Sequence, residues 1–332
     1  MVTFLVVGIC VVVTYLLIAV ALILSQDLTV LAAEGGINFS SADTAGTLDV
    51  GISSYVARDG IALGVRHYPG RSDNGPLVVV LHGSGWHGGA YTSLGAGLSE
   101  QYGLDVVIPD LRGHGPQPVR RGDVDYVGQL EDDVADLIGA YGGDNRPVYL
   151  VGHSSGGGLA IRFAGGQYGS MLTKAVLIAP FLKYDAPTAR PMNEDGSGGD
   201  GWTHVLQRRL IGQFMLNAVG ITAFDGMPMI QFRFPESVLT SEHGQTATPH
   251  YSFRLNTSFA PRNDYLRDVA KLPTFLLVAG LQDEVFRSQA YEPTLGSANP
   301  QGRYLLLPRV DHLGVIAHAD TLTAAGAFLM EE

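Results

Sequence analysis

Six apolar, strand-like segments recur along the chain, and their spacing limits the fold more strongly than any other feature. Each contains a run of apolar residues, and most are separated by stretches in which apolar residues recur at helical spacing. Strands that read as continuous apolar runs are typical of a parallel sheet covered by helices on both faces. The sequence therefore predicts an α/β fold with a mostly parallel central sheet, whose strands fall in residues 76–83, 105–113, 147–154, 174–180, 273–280 and 303–308.

The alternation of strands and helices is interrupted once, over residues 181–272. A structureless loop of roughly 90 residues would be anomalous in a compact domain, so we predict that this segment is an inserted cap. Its aromatic side chains, Trp202 and Phe214 among them, are expected to line an apolar pocket, although they could instead form the cap's own core. The core of the fold then comprises residues 47–180 and 273–332.

The N-terminus carries a run of 21 residues without a charge, from Phe4 to Leu24. At about 1.5 Å per residue, a helix of this length spans a hydrocarbon core of about 30 Å. A secretory signal is the alternative, but its apolar region is usually shorter, about 7–15 residues, and it follows positive residues, which this run does not. We therefore expect an uncleaved transmembrane anchor at residues 1–26, a linker at residues 27–46, and the catalytic domain outside the cytoplasm.

Charge and cysteine usage exclude several classes of site. The formal net charge is −11 and no basic run that could follow a phosphate backbone occurs, so we expect no nucleic-acid partner. The single cysteine, Cys10, lies within the apolar N-terminal run, which leaves no intrachain disulfide and no cysteine-based zinc site. We predict neither a metal site nor a cofactor.

A serine lies between glycines where a predicted strand meets the next predicted helix, in the sequence Gly152-His153-Ser154-Ser155-Gly156. Glycines two positions before and after the serine remove the Cβ atoms that would clash in a sharp strand-to-helix turn. The turn projects the hydroxyl above the sheet, beside a helix N-terminus that favours negative charge. The pattern alone is weak, but between a buried strand and a helix it favours Ser154 as a nucleophile over a simple glycine-rich turn.

Strand ends further along the chain supply a histidine and several acidic residues. Ligands of open parallel sheets bind beyond the carboxyl ends of the strands, so side chains at those ends are expected to meet. His312 follows the last predicted strand and is the candidate base, while Asp283, 29 residues earlier, is the candidate carboxylate that orients it. Glu284 and Asp311 are adjacent rivals for that role, and Asp185 is a weaker one.

The loop after the first long apolar strand, with the sequence HGSGWHGG at 82–89, is rich in glycine. Its backbone could therefore approach a substrate closely, and we predict an oxyanion hole formed by the N–H groups of Ser84 and Ser155. No Gly-Lys-Ser/Thr sequence follows, so the loop does not match a phosphate-binding P-loop. Trp86 and His153 are expected beside the substrate pocket.

The segments LHGSGWHGGAY, PDLRGHG, GHSSGG, LQDEV and DHLG follow the order found in α/β-hydrolases. Over residues 50–332, apart from the cap, the chain resembles the branch of monoglyceride lipases, lysophospholipases and serine aminopeptidases. Its glycine-rich loop is especially similar to that of monoglyceride lipases, except that Trp86 stands where these often have an acidic residue. The resemblance implies an α/β-hydrolase fold and assigns the nucleophile, acid, base and oxyanion donors to Ser154, Asp283, His312, Ser84 and Ser155.

These observations lead us to expect a membrane-anchored serine hydrolase that cleaves carboxylic esters through an acyl-enzyme and uses no cofactor. The anchor and the apolar cap favour a lipid-like substrate, such as a monoacylglycerol or a lysophospholipid. An aminopeptidase or amidase is an alternative, which would need acidic residues such as Glu194 and Asp195 to hold the substrate amine. An acyltransferase with the same triad and a non-catalytic binding protein, which would be expected to lack a triad residue, are the others.

Overall fold

The computed structural model describes residues 2–29, 31, 36–41, 51–72, 74–142, 146–191, 201–242 and 244–331. The strands within these residues are β1 Ser53–Val56, β2 Ala62–Tyr68, β3 Leu77–Leu81, β4 Asp105–Pro109, β5 Val148–His153, β6 Lys174–Ile178, β7 Thr203–Val205, β8 Pro228–Phe232, β9 His250–Ser252, β10 Phe275–Gly280 and β11 Gly302–Leu307. The α-helices are α1 Val2–Leu24, α2 Thr92–Tyr102, α3 Gln129–Gly142, α4 Ser155–Gly165, α5 Gln207–Asn217, α6 Glu236–Leu239, α7 Phe253–Phe259, α8 Tyr265–Val269, α9 Tyr291–Leu295, α10 Gly314–Ala317 and α11 Ala319–Met330.

Eight strands form one central sheet in the order β1-β2-β4-β3-β5-β6-β10-β11. The first three pair antiparallel, and every pair from β4 onward is parallel. The middle strands β3, β4 and β5 are buried along their whole length, which is why their sequences are apolar without alternation. The predicted α/β-hydrolase fold, with a mostly parallel sheet flanked by helices, is confirmed.

The segment predicted as a cap contains a second, antiparallel sheet in the order β7-β8-β9, against which α5 packs. Two later helices of the same segment, α7 and α8, pack against α4 of the core. The segment is therefore divided: the small sheet and α5 form a separate layer, whereas α7 and α8 extend the helical layer that α3 and α4 form on the central sheet.

The N-terminal helix α1 packs along the cap helix α5. Ala19 and Ile23 are fully buried in this contact, and a Cβ atom on Gly212 would lie 2.4 Å from the Ala19 carbonyl oxygen. The Tyr15 hydroxyl donates to the carbonyl of Met215 at 2.8 Å. Glycine at this position thus lets the two helix backbones approach closely, and the helix predicted as an anchor is joined to the cap.

The described parts of the segment predicted as a linker, residues 27–46, also lie against the domain. The backbone N–H of Thr29 donates to the side-chain oxygen of Gln231 in β8 at 2.9 Å, and the backbone N–H of Asn38 donates to the carboxylate of Glu284 at 2.9 Å. The Phe39 ring contacts Trp202 and another aromatic ring of the cap, with centroids 5.4–5.5 Å apart. This segment therefore contributes side chains to the region above the sheet as well as connecting α1 to β1.

Candidate active site

Ser154 occupies the turn between β5 and α4 in a backbone conformation that is unfavourable for a residue with a side chain, with φ 53° and ψ −120°. The flanking glycines make this turn possible. A Cβ atom on Gly152 would lie 2.4 Å from the Gly156 carbonyl oxygen, and one on Gly156 would lie 2.3 Å from the Leu81 carbonyl oxygen. Such strain is typical of a nucleophile held above a sheet.

Three of the predicted site residues form one hydrogen-bonded chain. His312 Nε2 lies 3.1 Å from Ser154 Oγ, and His312 Nδ1 lies 2.9 Å from Asp283 Oδ2. The other carboxylate oxygen of Asp283 accepts the backbone N–H groups of Val285 and Phe286, both at 2.8 Å. Asp283 and His312 are both buried, so this chain is shielded from water except at the serine.

The environment of Asp283 keeps its carboxylate charged. Burial by itself raises the pKa of this group, but His312 and the two backbone N–H donors outweigh burial, so the pKa lies below its usual value. A charged carboxylate at Nδ1 keeps the proton on that nitrogen and leaves Nε2 free to accept one from Ser154.

The rival acidic residues have other partners. Glu284 accepts the backbone N–H groups of His312 and Asn38, each at 2.9 Å. Asp311 accepts the N–H of Gly314 at 2.7 Å and the side-chain amide of Asn38 at 2.9 Å. Asp185 pairs with Lys183 at 3.2 Å. Glu284 and Asp311 therefore fix the loops around the histidine, while Asp283 contacts its ring. Glu194 and Asp195 lie outside the described residues.

The glycine-rich loop presents one backbone donor between two that are already engaged. Gly83 N–H donates to the Tyr91 hydroxyl at 2.9 Å, and Gly85 N–H donates to the Tyr251 hydroxyl at 2.6 Å. Within the part of the chain that the structure describes, the N–H groups of Ser84 and Ser155 have no hydrogen-bond acceptor. Their side chains meet each other, with the two Oγ atoms 2.5 Å apart. Ser84 and Ser155 are thus neighbours beside Ser154, and neither backbone N–H group has an acceptor among the described residues.

His153 is almost fully buried beside the His312 backbone, at the margin of the cavity. Its Nε2 atom lies 3.1 Å from the His312 carbonyl oxygen, and because a carbonyl only accepts, Nε2 carries the proton. The Tyr91 hydroxyl, 2.8 Å away, therefore donates to Nδ1. Burial lowers the pKa of His153 to about 3, so the ring is neutral. Neither Tyr91 nor Tyr251 was predicted as a site residue: Tyr91 ends the segment LHGSGWHGGAY but was given no role, and Tyr251 lies in the segment predicted as a cap, where no motif is found.

A cavity of about 1820 Å³ opens above Ser154. All four predicted pocket residues line it: Trp86, His153, Trp202 and Phe214. Trp202 is buried, whereas Phe214 on α5 is 58% exposed. The cavity wall also includes Ile37 and Phe39 from the N-terminal segment, which sequence reasoning missed because that segment's composition resembles a linker.

A sequence model of the family described as serine aminopeptidase, S33, matches residues 73–312. Among curated proteins, a "Probable protein phosphatase methylesterase 1" from Caenorhabditis elegans is 32% identical over 120 residues, which are 36% of this chain and 33% of that protein. The corresponding protein of Bos taurus is 33% identical over 91 residues, 27% of this chain and 24% of that protein. The chain thus spans a third or less of the length of these relatives.

Solved structures share the fold over most of the chain. An aryl esterase from Burkholderia cenocepacia has a TM-score of 0.58 at 18% identity, covering 84% of this chain and 98% of that protein. A membrane phospholipase A, described as a bacterial virulence factor, has a TM-score of 0.57 at 18% identity, covering 98% of this chain and 96% of that protein. At such low identity the likeness shows the fold alone.

Proposed function

Because the chain belongs to the serine aminopeptidase S33 family of the α/β-hydrolase superfamily, we propose that it is a serine hydrolase that cleaves carboxylic esters. One observation carries this proposal. Asp283, His312 and Ser154 form a continuous hydrogen-bonded chain that ends in a strained serine at the base of an apolar cavity.

The proposed reaction begins when Ser154 Oγ attacks the acyl carbonyl while its proton passes to His312 Nε2. Asp283 stabilises the imidazolium that forms. The negative charge that develops on the carbonyl oxygen is bound by the N–H groups of Ser84 and Ser155, a contribution of about 3–4 kcal/mol per donor in other enzymes. Collapse of the tetrahedral intermediate releases the alcohol, which takes its proton from His312, and leaves an acyl-serine.

Water then completes the cycle. His312 removes a proton from a water molecule, the hydroxide attacks the acyl-serine, and the same oxyanion donors stabilise the second tetrahedral intermediate. The carboxylate leaves and Ser154 regains its proton. No step of this sequence uses a cofactor or a metal.

A lipid-like substrate is the proposal best supported by the cavity and the N-terminal helix. The cavity has a largely apolar wall, and its volume of about 1820 Å³ exceeds the roughly 300–1,000 Å³ that is usual for small-ligand sites. Both properties suit an acyl chain. Helix α1 carries no charged residue and is mostly exposed, as expected of a helix facing lipid. A membrane anchor of this kind, with the catalytic domain outside the cytoplasm, would present a monoacylglycerol or lysophospholipid to the site.

Labelling with a fluorophosphonate, which reacts with activated serines, tests the mechanism. Wild-type protein should label, and Ser154→Ala should not, because the attacking oxygen is removed. Ser155→Ala is the matched control: its backbone N–H remains, so it should retain most of the labelling. Equal labelling of wild type and Ser154→Ala would overturn the proposal.

A panel of acyl compounds then separates the related activities. Esters from acetate to palmitate, each with its matched amide, would rank chain length and compare ester with amide cleavage. The hypothesis that the protein is an aminopeptidase rests on the name of the matched family. It predicts faster turnover of aminoacyl amides than of the esters. An acyltransferase would instead form the ester of an added alcohol in preference to the free acid.

A further inference from the structure

Arg190 lies in the wall of the active-site cavity, next to the loop that carries the acid. Its Nη2 atom donates to the backbone carbonyl of Asp283 at 2.8 Å. The preceding residue, Ala189, forms an antiparallel bridge with Phe286, and the Arg287 N–H donates to Thr188 at 2.8 Å. The arginine is therefore held in place by backbone pairing on the acid loop.

The other basic side chains that line the cavity are each paired with a carboxylate. Their distances to the nearest carboxylate oxygen are 2.7 Å for Arg66, 2.5 Å for Arg162, 3.2 Å for Lys183 and 2.7 Å for Arg262. Among the described residues, Arg190 has no carboxylate partner: Nη2 donates to the Asp283 carbonyl, Nε is buried without an acceptor, and Nη1, which has no acceptor there and is not buried, remains for an anion in the cavity. A guanidinium with unused donors is a site for a planar or tetrahedral anion.

The position of Arg190 indicates which part of a substrate it would meet. In the proposed mechanism His312 gives its proton to the departing alcohol, so the alcohol half of the ester lies on the histidine side. Phe286 forms a backbone bridge with Ala189. Its ring contacts the His312 ring edge-on, with the ring centroids 5.3 Å apart. Because the Arg190 guanidinium donates to the Asp283 carbonyl and Asp283 contacts the His312 ring, we assign Arg190 to the histidine side, and so to the alcohol side, of the site.

We propose that Arg190 binds a phosphate or carboxylate carried by the alcohol half of the substrate. This inference rests on the proposed function and narrows it to anionic esters, of which a lysophospholipid is the phosphate-bearing form. A neutral monoacylglycerol would leave the guanidinium unpaired and would be the poorer substrate.

Three esters with the same acyl chain test the proposal: 1-oleoylglycerol, 1-oleoylglycerol-3-phosphate and the oleoyl ester of glyceric acid. The quantity measured is the ratio of kcat/KM for each anionic ester to kcat/KM for the neutral one, with the full chain in one detergent. We expect wild type to favour an anionic ester, and Arg190→Gln to lower that ratio about tenfold or more, mainly through KM. The two anionic esters distinguish a phosphate site from a carboxylate site.

Two further variants keep the result interpretable. Arg190→Lys retains the charge without the planar fork and should give an intermediate ratio. Lys183→Gln removes a cavity cation that is already paired, and its ratio should match wild type. An unchanged ratio in Arg190→Gln, or an equal loss on neutral and anionic esters, would overturn the anion site. Turnover of 1-oleoylglycerol by wild type and its loss in Ser154→Ala test the proposed function separately.

Discussion

His153, the residue before the proposed nucleophile, connects the two halves of the site. The Tyr91 hydroxyl accepts from Gly83 in the oxyanion loop and donates to His153, which in turn donates to the backbone of His312. The position of the proposed base, His312, and the position of the glycine-rich loop at residues 82–89 are therefore coupled through one neutral ring. We propose that His153 and Tyr91 are positioning residues: the His153 ring packs against the His312 ring, with centroids 4.7 Å apart, and Tyr91 acts on His312 through His153.

Removing the Tyr91 hydroxyl should slow catalysis without unfolding the protein. Tyr91→Phe keeps the ring but breaks the link between the oxyanion loop and His153, so we expect kcat to fall about tenfold with a smaller change in KM. Steady-state kinetics on one ester would measure this. Tyr68→Phe is the matched control, since the buried Tyr68 hydroxyl has no hydrogen-bond partner among the described residues. Equal kinetics for the two variants would contradict the coupling.

The sequence was most informative for the residues that follow the carboxyl ends of parallel strands. The serine, the histidine and the acid follow different strands, and the parallel arrangement brings those strand ends to one edge. It named Asp283 as the acid but left Glu284 and Asp311 as adjacent rivals, because the direction of each side chain depends on the loop backbone. Nor did it assign roles to Tyr91 and Tyr251, because the contact of Tyr91 with His153 and that of Tyr251 with Gly85 join segments that only the fold brings together.

The hydropathy of the N-terminal run did not predict that helix α1 packs against helix α5. An apolar run of 21 residues predicts a helix. The packing of that helix against α5 depends on Gly212, almost 200 residues away, which lies against the Ala19 backbone. The three-residue strands β7 and β9 were likewise unpredictable, since alternation cannot be recognised over so short a length.

Filling the space at Gly212 should separate the two helices. Gly212→Leu forces a side chain into the Ala19 backbone and should lower the free energy of unfolding by about 1–3 kcal/mol. Gly139→Leu is the control, because Gly139 lies in α3 with no atom near its Cβ position. Thermal unfolding of both variants in the same detergent would measure the difference. A Gly212→Leu protein as stable as the control would show that α1 is not held there.

At the scale of the whole molecule, three buried histidines make stability depend on pH. Burial lowers the pKa of His82 to about 4 and of His153 to about 3, and it holds the pKa of His114 well below its usual value. In the unfolded chain these groups take up protons below about pH 6.5. Between that pH and the folded-state values, the unfolded state binds protons that the folded state does not, so acid favours unfolding.

We therefore expect the folded state to lose stability as the pH falls from about 6.5 toward 4. Each histidine contributes up to about 1.4 kcal/mol per pH unit in that interval. Denaturant unfolding at several pH values would measure the effect through the midpoint. A midpoint that stays constant down to pH 5 would contradict it, because carboxylates alone titrate mostly below that value.

The aromatic contact between Phe39 and the cap bears on how the enzyme could be produced for study. Proteins that begin with a long apolar helix are often shortened to obtain a water-soluble catalytic fragment. Here a fragment starting at residue 47 would discard both α1 and the Phe39 segment, uncovering Leu216 on α5 and opening one side of the cavity. Selectivity measured on such a fragment would describe a binding site with a missing wall, so substrate profiling belongs with a protein that retains residues 1–46, in detergent or lipid.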